Sequence, residues 1–454
     1  MLHGRCIALA FQGSIHDLLR MTQPAPSEAS RFTARPGRLP LPLGFEQALW
    51  SGGDARMAVD PVTGLNPYFC PSRPSSTVSC LSSCTASPPS LRGYERARSA
   101  FVDISMAPTP TLAAIRTGVY VATVQDAILR HFGAVGAAEV VLCASGTDAV
   151  ALAVSRTAAL LPDGGVRHAV AVPVPGETGS GVPEAATTRA CGTAGPVVRL
   201  ALRDDDGVCI PPGRLDAAFA AAADGGIVVI THGTKTGLVV PSRVPRGALV
   251  VVDACQARIR PADVASHLAL GRPVAVTGSK FLGGPAFSGA VLFPAKAASK
   301  SSPLQPGQVG LGPLLRWIAA LDNIEALAAV ADPGRLLFNR RLDLRAAMGN
   351  TPGVLPVAEV APGGSGWPGG ATILSFMIVP SGTSTPLGVD ALRVIHRKLA
   401  MEGVLFGQPV PFGQHGVLRA ALGARDACDD DGGVSVRRAF TALRSFTSRL
   451  VATA

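Results

Sequence analysis

From about residue 100 onward the sequence alternates short, wholly apolar runs with alanine-rich segments, and this alternation restricts the fold more than any other feature. Strands are predicted at Glu139–Cys143, Ala169–Val174, Gly226–Thr231, Ala248–Asp253 and Val274–Thr277, and helices at Val119–His131 and Asp148–Leu161. A strand that is apolar at every position is buried on both faces. With helices between such strands, the chain implies a mainly parallel sheet covered on both sides. In sheets of this kind ligands bind outside the carboxyl ends of the strands, so the residues just after each run become the candidate site.

Composition sets the outer limits. A chain of 454 residues, 47% hydrophobic and 16% charged, can bury a sizeable core and form more than one folding unit. Its 51 glycines and 38 prolines favour many turns over a coiled coil or helical array. The formal charge of +10 is spread over single residues with no basic cluster, so neither a nucleic acid nor a membrane surface is an expected partner. Cys6, Cys70, Cys80, Cys84, Cys143, Cys191, Cys209, Cys255 and Cys428 form no C-x-x-C pair, and no histidine stands at a zinc-ligand spacing from them. Reduced thiols in a cytoplasmic protein without a metal are therefore expected. No eighteen apolar residues run together, and the short N-terminal apolar run is broken at Gln12.

Four regions are expected. Residues 1–55 read as weakly structured. Residues 56–100 contain a turn-rich stretch of small polar residues, Asp60–Ser90, that suits a loop near a site or a disordered linker. Residues 101–300 form the large domain. Residues 301–454 form a smaller α+β domain that closes with an amphipathic helix over Val434–Val451.

Three strand ends carry chemistry. After Cys143 comes Ala144-Ser145-Gly146-Thr147-Asp148, a small turn opening a helix. Free backbone N–H groups and two hydroxyls there suit a phosphate, although Thr147 or Asp148 could equally be an ordinary helix cap. The strand to Asp253 ends in a carboxylate, with Gln256 three residues on. Burial of that carboxylate is costly unless a cation meets it; a helix cap or metal ligand is the alternative. After Thr277 comes Gly278-Ser279-Lys280, the one lysine of five placed at the end of a predicted strand. A lysine held between small residues can bond an aldehyde once burial favours its neutral amine, whereas a surface lysine is the ordinary alternative.

Taken in order, these residues resemble the fold type I pyridoxal-phosphate enzymes, and among them the class V aminotransferase and cysteine desulfurase group. The resemblance spans roughly residues 60 to 450 and is most specific over 143 to 290. It implies an aspartate-aminotransferase-like α/β fold with pyridoxal 5'-phosphate as cofactor. Ser145, Gly146 and Thr147 would hold the phosphate, with Thr277 beside them, Asp253 and Gln256 would hold the ring, and Lys280 would carry the Schiff base. The turn Thr231–Gly237 resembles the one that contacts the ring oxygen, with Thr234 where an asparagine is common. Val417–Gly423 resembles the segment whose arginine grips the substrate carboxylate, here Arg419, which could instead make a surface ion pair.

Two departures bear on the reaction. Ala171–Ala190 contains no histidine or aromatic residue to stack on the ring, so Glu177, Thr178 or Ser180 stands in its place. No cysteine lies between Cys255 and Cys428, which disfavours a desulfurase with its own loop thiol. The expectation is an aminotransferase acting on an amino acid or amine, with a C–S or other β-lyase second and a non-catalytic binding protein third. The resemblance also implies a homodimer.

Overall fold

The computed structural model describes residues 44–161, 169–174, 176–179, 181–182, 196–295, 310–357, 372–428 and 433–449. Most of the expected N-terminal segment, Ser180 and the last residues of the closing helix lie outside them. In chain order the strands are β1 (Ser79–Leu81), β2 (Ala138–Cys143), β3 (Val170–Pro173), β4 (Val197–Leu200), β5 (Ile227–His232), β6 (Val239–Val240) and β7 (Leu249–Asp253). They continue with β8 (Val274–Thr277), β9 (Gly289–Pro294), β10 (Val354–Pro356), β11 (Ile373–Ile378), β12 (Val404–Phe412) and β13 (His415–Ala421).

The apolar runs assemble into one sheet in the order β2-β9-β8-β7-β5-β3-β4, with β6 paired to β5. Strands β8, β7, β5, β3 and β4 are parallel, as the alternation implied. Strand β9, which the sequence analysis did not predict, runs antiparallel between β2 and β8. Its first residue, Gly289, therefore pairs with both Cys143 and Thr277, the last residues of their strands. A Cβ at Gly289 would stand 2.1 Å from the Ser145 carbonyl oxygen, so only glycine lets these strand ends converge.

Helix boundaries follow their caps. The helix predicted from Asp148 begins at Gly146, because the Ser145 hydroxyl accepts from the Asp148 N–H at 3.1 Å. The helix predicted from Val119 is the second half of Pro110–His131. Thr109 caps it, and Pro110 takes the first position, where no N–H is needed. That helix is long and apolar enough to cross a membrane by length and composition, with Ile115 and Val119 exposed. Val124 and Ile128 nevertheless sit in the core, and the helix packs along Leu311–Ala328.

A second sheet, β1-β12-β13-β11-β10, lies in the C-terminal part. Its edge strand β1 comes from the N-terminal arm and pairs parallel with β12, Ser79 opposite Val404. The helices Val389–Met401 and Val434–Thr447 pack on this sheet. Helix Leu311–Ala328 instead packs on Leu91–Ser105. From that helix the fully buried Arg316 donates to the carbonyls of Leu49, Ser51 and Phe287, each at 2.7 Å. Burial lowers its pKa to about 9, and the three carbonyls compensate the charge while tying the N-terminal arm to the body.

Candidate active site

The carboxyl ends of β2, β5, β7 and β8 open onto one cavity of about 430 Å³. Ser145, Gly146, Thr147, Asp253, Gln256, Thr277, Lys280 and Arg419 all line it. Parallel neighbours β5, β7 and β8 bring the Asp253, Thr277 and Lys280 ends together, antiparallel β9 joins the β2 end to them, and Arg419 arrives from β13 of the second sheet, so positions spread over 275 residues meet.

On the β2 side, the Ser145 hydroxyl caps the helix and donates to Asp148 Oδ2 at 2.8 Å. A Cβ at Gly146 would come within 2.8 Å of Thr277 Cγ2 and 3.0 Å of Cys255 Sγ. The helix start therefore approaches the β7 and β8 ends as closely as backbone allows, with its first N–H groups facing the cavity. Thr277 Oγ1 donates to the Cys255 carbonyl at 2.7 Å.

Asp253 ends β7 with only 5% of its surface exposed. Burial raises its pKa, opposed by the Cys255 N–H at 3.1 Å and the Thr178 hydroxyl at 3.1 Å. Thr178, one of the three residues offered in place of a stacking ring, thus reaches Asp253 directly. Cys255 lies beneath, its thiol pushed well up by burial and then by Asp253. Neighbouring Thr231, in register with Asp253 on β5, was not singled out from sequence. Thr231 lines the cavity, and its buried hydroxyl has no hydrogen-bond partner among the described residues.

Lys280 sits on the turn after β8. Gly278 and Gly284 seat that turn on helix Leu311–Ala328, where added Cβ atoms would stand 2.9 Å from Trp317 and 2.6 Å from Ala320. Its ammonium donates to the Thr85 carbonyl. Burial lowers its pKa to about 8, Cys84 opposing and Arg419 adding to the shift, so the amine becomes mainly neutral at mildly alkaline pH.

The opposite wall comes from distant segments. Arg419, 2% exposed on β13, donates to the Gln408 carbonyl from Nε at 3.1 Å and Nη2 at 2.8 Å. It also donates to the Lys235 carbonyl at 3.2 Å and to Thr85 Oγ1 at 3.1 Å. Among the described residues, four of the five guanidinium N–H groups are thus engaged, and the fifth is on Nη1. The open two-pronged grip implied by the resemblance is not available in this arrangement.

Two other expected contacts are used elsewhere. The Gln256 amide donates to the Cys84 carbonyl at 3.1 Å, and its oxygen accepts from Arg258 at 2.9 Å. Thr234 does not reach the cavity wall: its hydroxyl accepts from the Leu238 N–H at 3.0 Å inside its own turn. The next residue, Lys235, does line the cavity. Its pKa is lowered to about 7 by burial, then by Arg419 and Lys280. Glu177 also lines the cavity, its carboxylate accepting from Arg203 at 2.8 Å and from Thr236 at 2.6 Å. Cys84 and Thr85, from the N-terminal arm, complete this wall. Among the described residues no cluster of metal-ligating side chains occurs.

No model of a known protein family and no curated protein sequence matches the chain. Solved structures do match in fold. A cystine C–S lyase, C-DES, complexed with its product cysteine persulfide, superposes with a TM-score of 0.60 at 13% identity, covering 83% of this chain and 98% of its own. The cysteine desulfurase CsdA from Escherichia coli gives 0.54 at 15% identity, covering 82% and 96%. The glutamate decarboxylase domain of a diaminobutyrate transaminase and decarboxylase from Vibrio parahaemolyticus gives 0.56 at 13%, covering 82% and 81%. The chain thus has the fold type I architecture of pyridoxal-phosphate enzymes, as the order of its motifs implied.

Proposed function

We propose that this protein is a pyridoxal-phosphate-dependent enzyme that acts on an amino acid through Lys280, and that it is a lyase cleaving a bond at the β carbon. The observation that carries the reading is the convergence, in one cavity, of a lysine, a buried strand-end carboxylate and a helix N-terminus.

The residues suit the cofactor in shape as well as in kind. Gly146 lets the helix start close directly on Thr277 and Cys255 at the cavity, where the helix's first backbone N–H groups and the Thr147 hydroxyl would hold a phosphate. The Thr231 hydroxyl, buried at the cavity without a partner among the described residues, would have a bond to offer a bound group. Asp253, costly to bury as a carboxylate, would be compensated by a protonated ring nitrogen. When bound, pyridoxal phosphate supplies an electron sink for negative charge at the substrate's α carbon.

The chain's own groups would do the rest. Lys280 would hold the cofactor through its aldehyde, and its free amine would take the proton from the substrate's α carbon. The remaining Arg419 Nη1–H meets the α-carboxylate. Transfer of the amino group is the expectation from the sequence. The reading moves to a lyase because the fold neighbours include a C–S lyase and a cysteine desulfurase. Supplying the cofactor-loaded protein with cystine, cysteine and a panel of 2-oxo acids tests this directly. Release of pyruvate and ammonia without any oxo acid, with sulfide from cysteine or cysteine persulfide from cystine, is the expected result. Amino transfer that requires an oxo acid would restore the aminotransferase, and no turnover with retained cofactor would favour a binding protein.

A further inference from the structure

We infer that Glu177 is a positioning residue: anchored by Arg203 and Thr236, it holds the Thr178 hydroxyl on Asp253 and thereby sets how firmly the site grips a protonated ring nitrogen. The inference rests on the reading of the cavity as a pyridoxal-phosphate site and gives a role to two residues that stand where the resemblance places a stacking ring.

Glu177 is fixed at every polar atom it has. It follows β3, and its N–H and that of Thr178 both donate to the Val174 carbonyl, at 3.0 and 3.1 Å, which closes a tight turn. Its own carbonyl accepts from the Lys235 N–H at 2.7 Å. One carboxylate oxygen accepts from Arg203 Nε at 2.8 Å and the other from the Thr236 hydroxyl at 2.6 Å. Arg203 in turn donates to Thr236 Oγ1 at 3.0 Å, the Gly207 carbonyl at 3.1 Å and Cys209 Sγ at 2.9 Å, and its guanidinium lies 4.4 Å from the centre of the Phe412 ring. The side chains of the ion pair are 5% and 10% exposed. Desolvation offsets much of the attraction in so buried a pair, so what it supplies is fixed geometry more than net stability.

Thr178 turns that geometry into electrostatics. Its single hydroxyl hydrogen is given to Asp253 Oδ2 at 3.1 Å, while the Cys255 N–H meets Oδ1 at 3.1 Å. Burial disfavours the charged form of Asp253, and Cys255 and Thr178 oppose that shift. Cys255 follows Asp253 directly on the end of β7, so its N–H needs no outside support. Thr178 lies on a separate turn, and its bond to Asp253 holds only while Glu177 holds the turn. An ionised Asp253 can pair with a protonated ring nitrogen, and a neutral one cannot.

The test compares pyridoxal phosphate with its 1-deaza analogue, in which carbon replaces the ring nitrogen, by equilibrium dialysis against wild type, Thr178→Val, Thr178→Ser and the double variant Glu177→Leu with Arg203→Met. A group that acts on the ring nitrogen changes the ratio of the two affinities, whereas one that only supports the fold changes both alike. Wild type should favour pyridoxal phosphate by on the order of a hundredfold. Thr178→Val should cut that preference roughly tenfold, the worth of one hydrogen bond to a charged group, and leave affinity for the analogue unchanged. Thr178→Ser should keep the preference. The double variant should lose it as Thr178→Val does while unfolding at a denaturant concentration close to that of wild type. If the double variant does not fold, Thr236→Val removes one anchor, keeps the ion pair and should show a smaller loss in the same direction. An unchanged ratio in Thr178→Val, or an equal fall in both affinities, would overturn the inference, and an unchanged ratio in the folded double variant or in Thr236→Val would overturn the part given to Glu177. Equal affinity of wild type for the two compounds would overturn the inference while leaving the cofactor reading intact. Binding of neither would remove both together.

Discussion

The two walls of the cavity are built by different means. The strand-end wall, with Asp253, Thr231, Thr277 and Lys280, is set by the register of parallel neighbours: Thr231 stands opposite Asp253, and Asp253 opposite Ala275. The facing wall, with Cys84, Thr85, Lys235 and Arg419, is stitched from three separate segments by buried side chains. Arg258 is the main stitch. It donates to Ser83 Oγ, Leu422 O, Thr372 Oγ1 and both oxygens of Gln256, and burial lowers its pKa to about 10. A sheet places groups by a repeating backbone rule, whereas a stitched wall depends on a few polar contacts whose loss is felt throughout.

That contrast can be broken from either side. The largest effect is expected for Arg258→Met, which strands several buried acceptors at once. Denaturant titration should show a loss of roughly 3 kcal/mol, with weakened binding of amino-acid probes. On the strand-end wall Asp253→Asn should act in the opposite way. It relieves a buried carboxylate, so stability is kept, while affinity for pyridoxal phosphate measured by equilibrium dialysis falls on the order of tenfold to a hundredfold. Gly146→Ala places a methyl group against Thr277 and Cys255 and should lower cofactor affinity roughly tenfold, with a blue-shifted or weakened absorbance band. The smallest effect is for Thr231→Val. Removing an unpartnered buried hydroxyl should stabilise the cofactor-free protein by about 1 kcal/mol and weaken cofactor binding, two opposite signs in one variant.

The same division explains what could be read from the sequence. Ser145, Asp253, Thr277 and Lys280 stood out because each follows an apolar run, a local signal that the parallel sheet turns into proximity. Thr231 obeys the same rule and could have been found by it, since it is a hydroxyl near the end of the strand next to that of Asp253. Thr234 and Lys235 show where the rule stops. The turn between β5 and β6 points one side chain into itself and the next into the cavity, and composition does not distinguish them. Gln256 has the right spacing, but its amide is engaged by Cys84 and Arg258, partners invisible at short range. Thr85 lies 195 residues from the Lys280 it meets, brought there because β1 joins the C-terminal sheet. Strand β9 was missed because an apolar run after the lysine turn carries no sign of its direction.

The central claim is that Lys280, rather than the other cavity lysine, Lys235, carries the cofactor. Protein incubated with pyridoxal phosphate can be reduced with borohydride, digested and mapped by mass spectrometry, with the rate of attachment followed against pH. The account predicts a single modified peptide containing Lys280, formed faster as pH rises through about 8, where the amine becomes neutral. Modification at Lys235 alone, or no stable modification in the native protein, would contradict it.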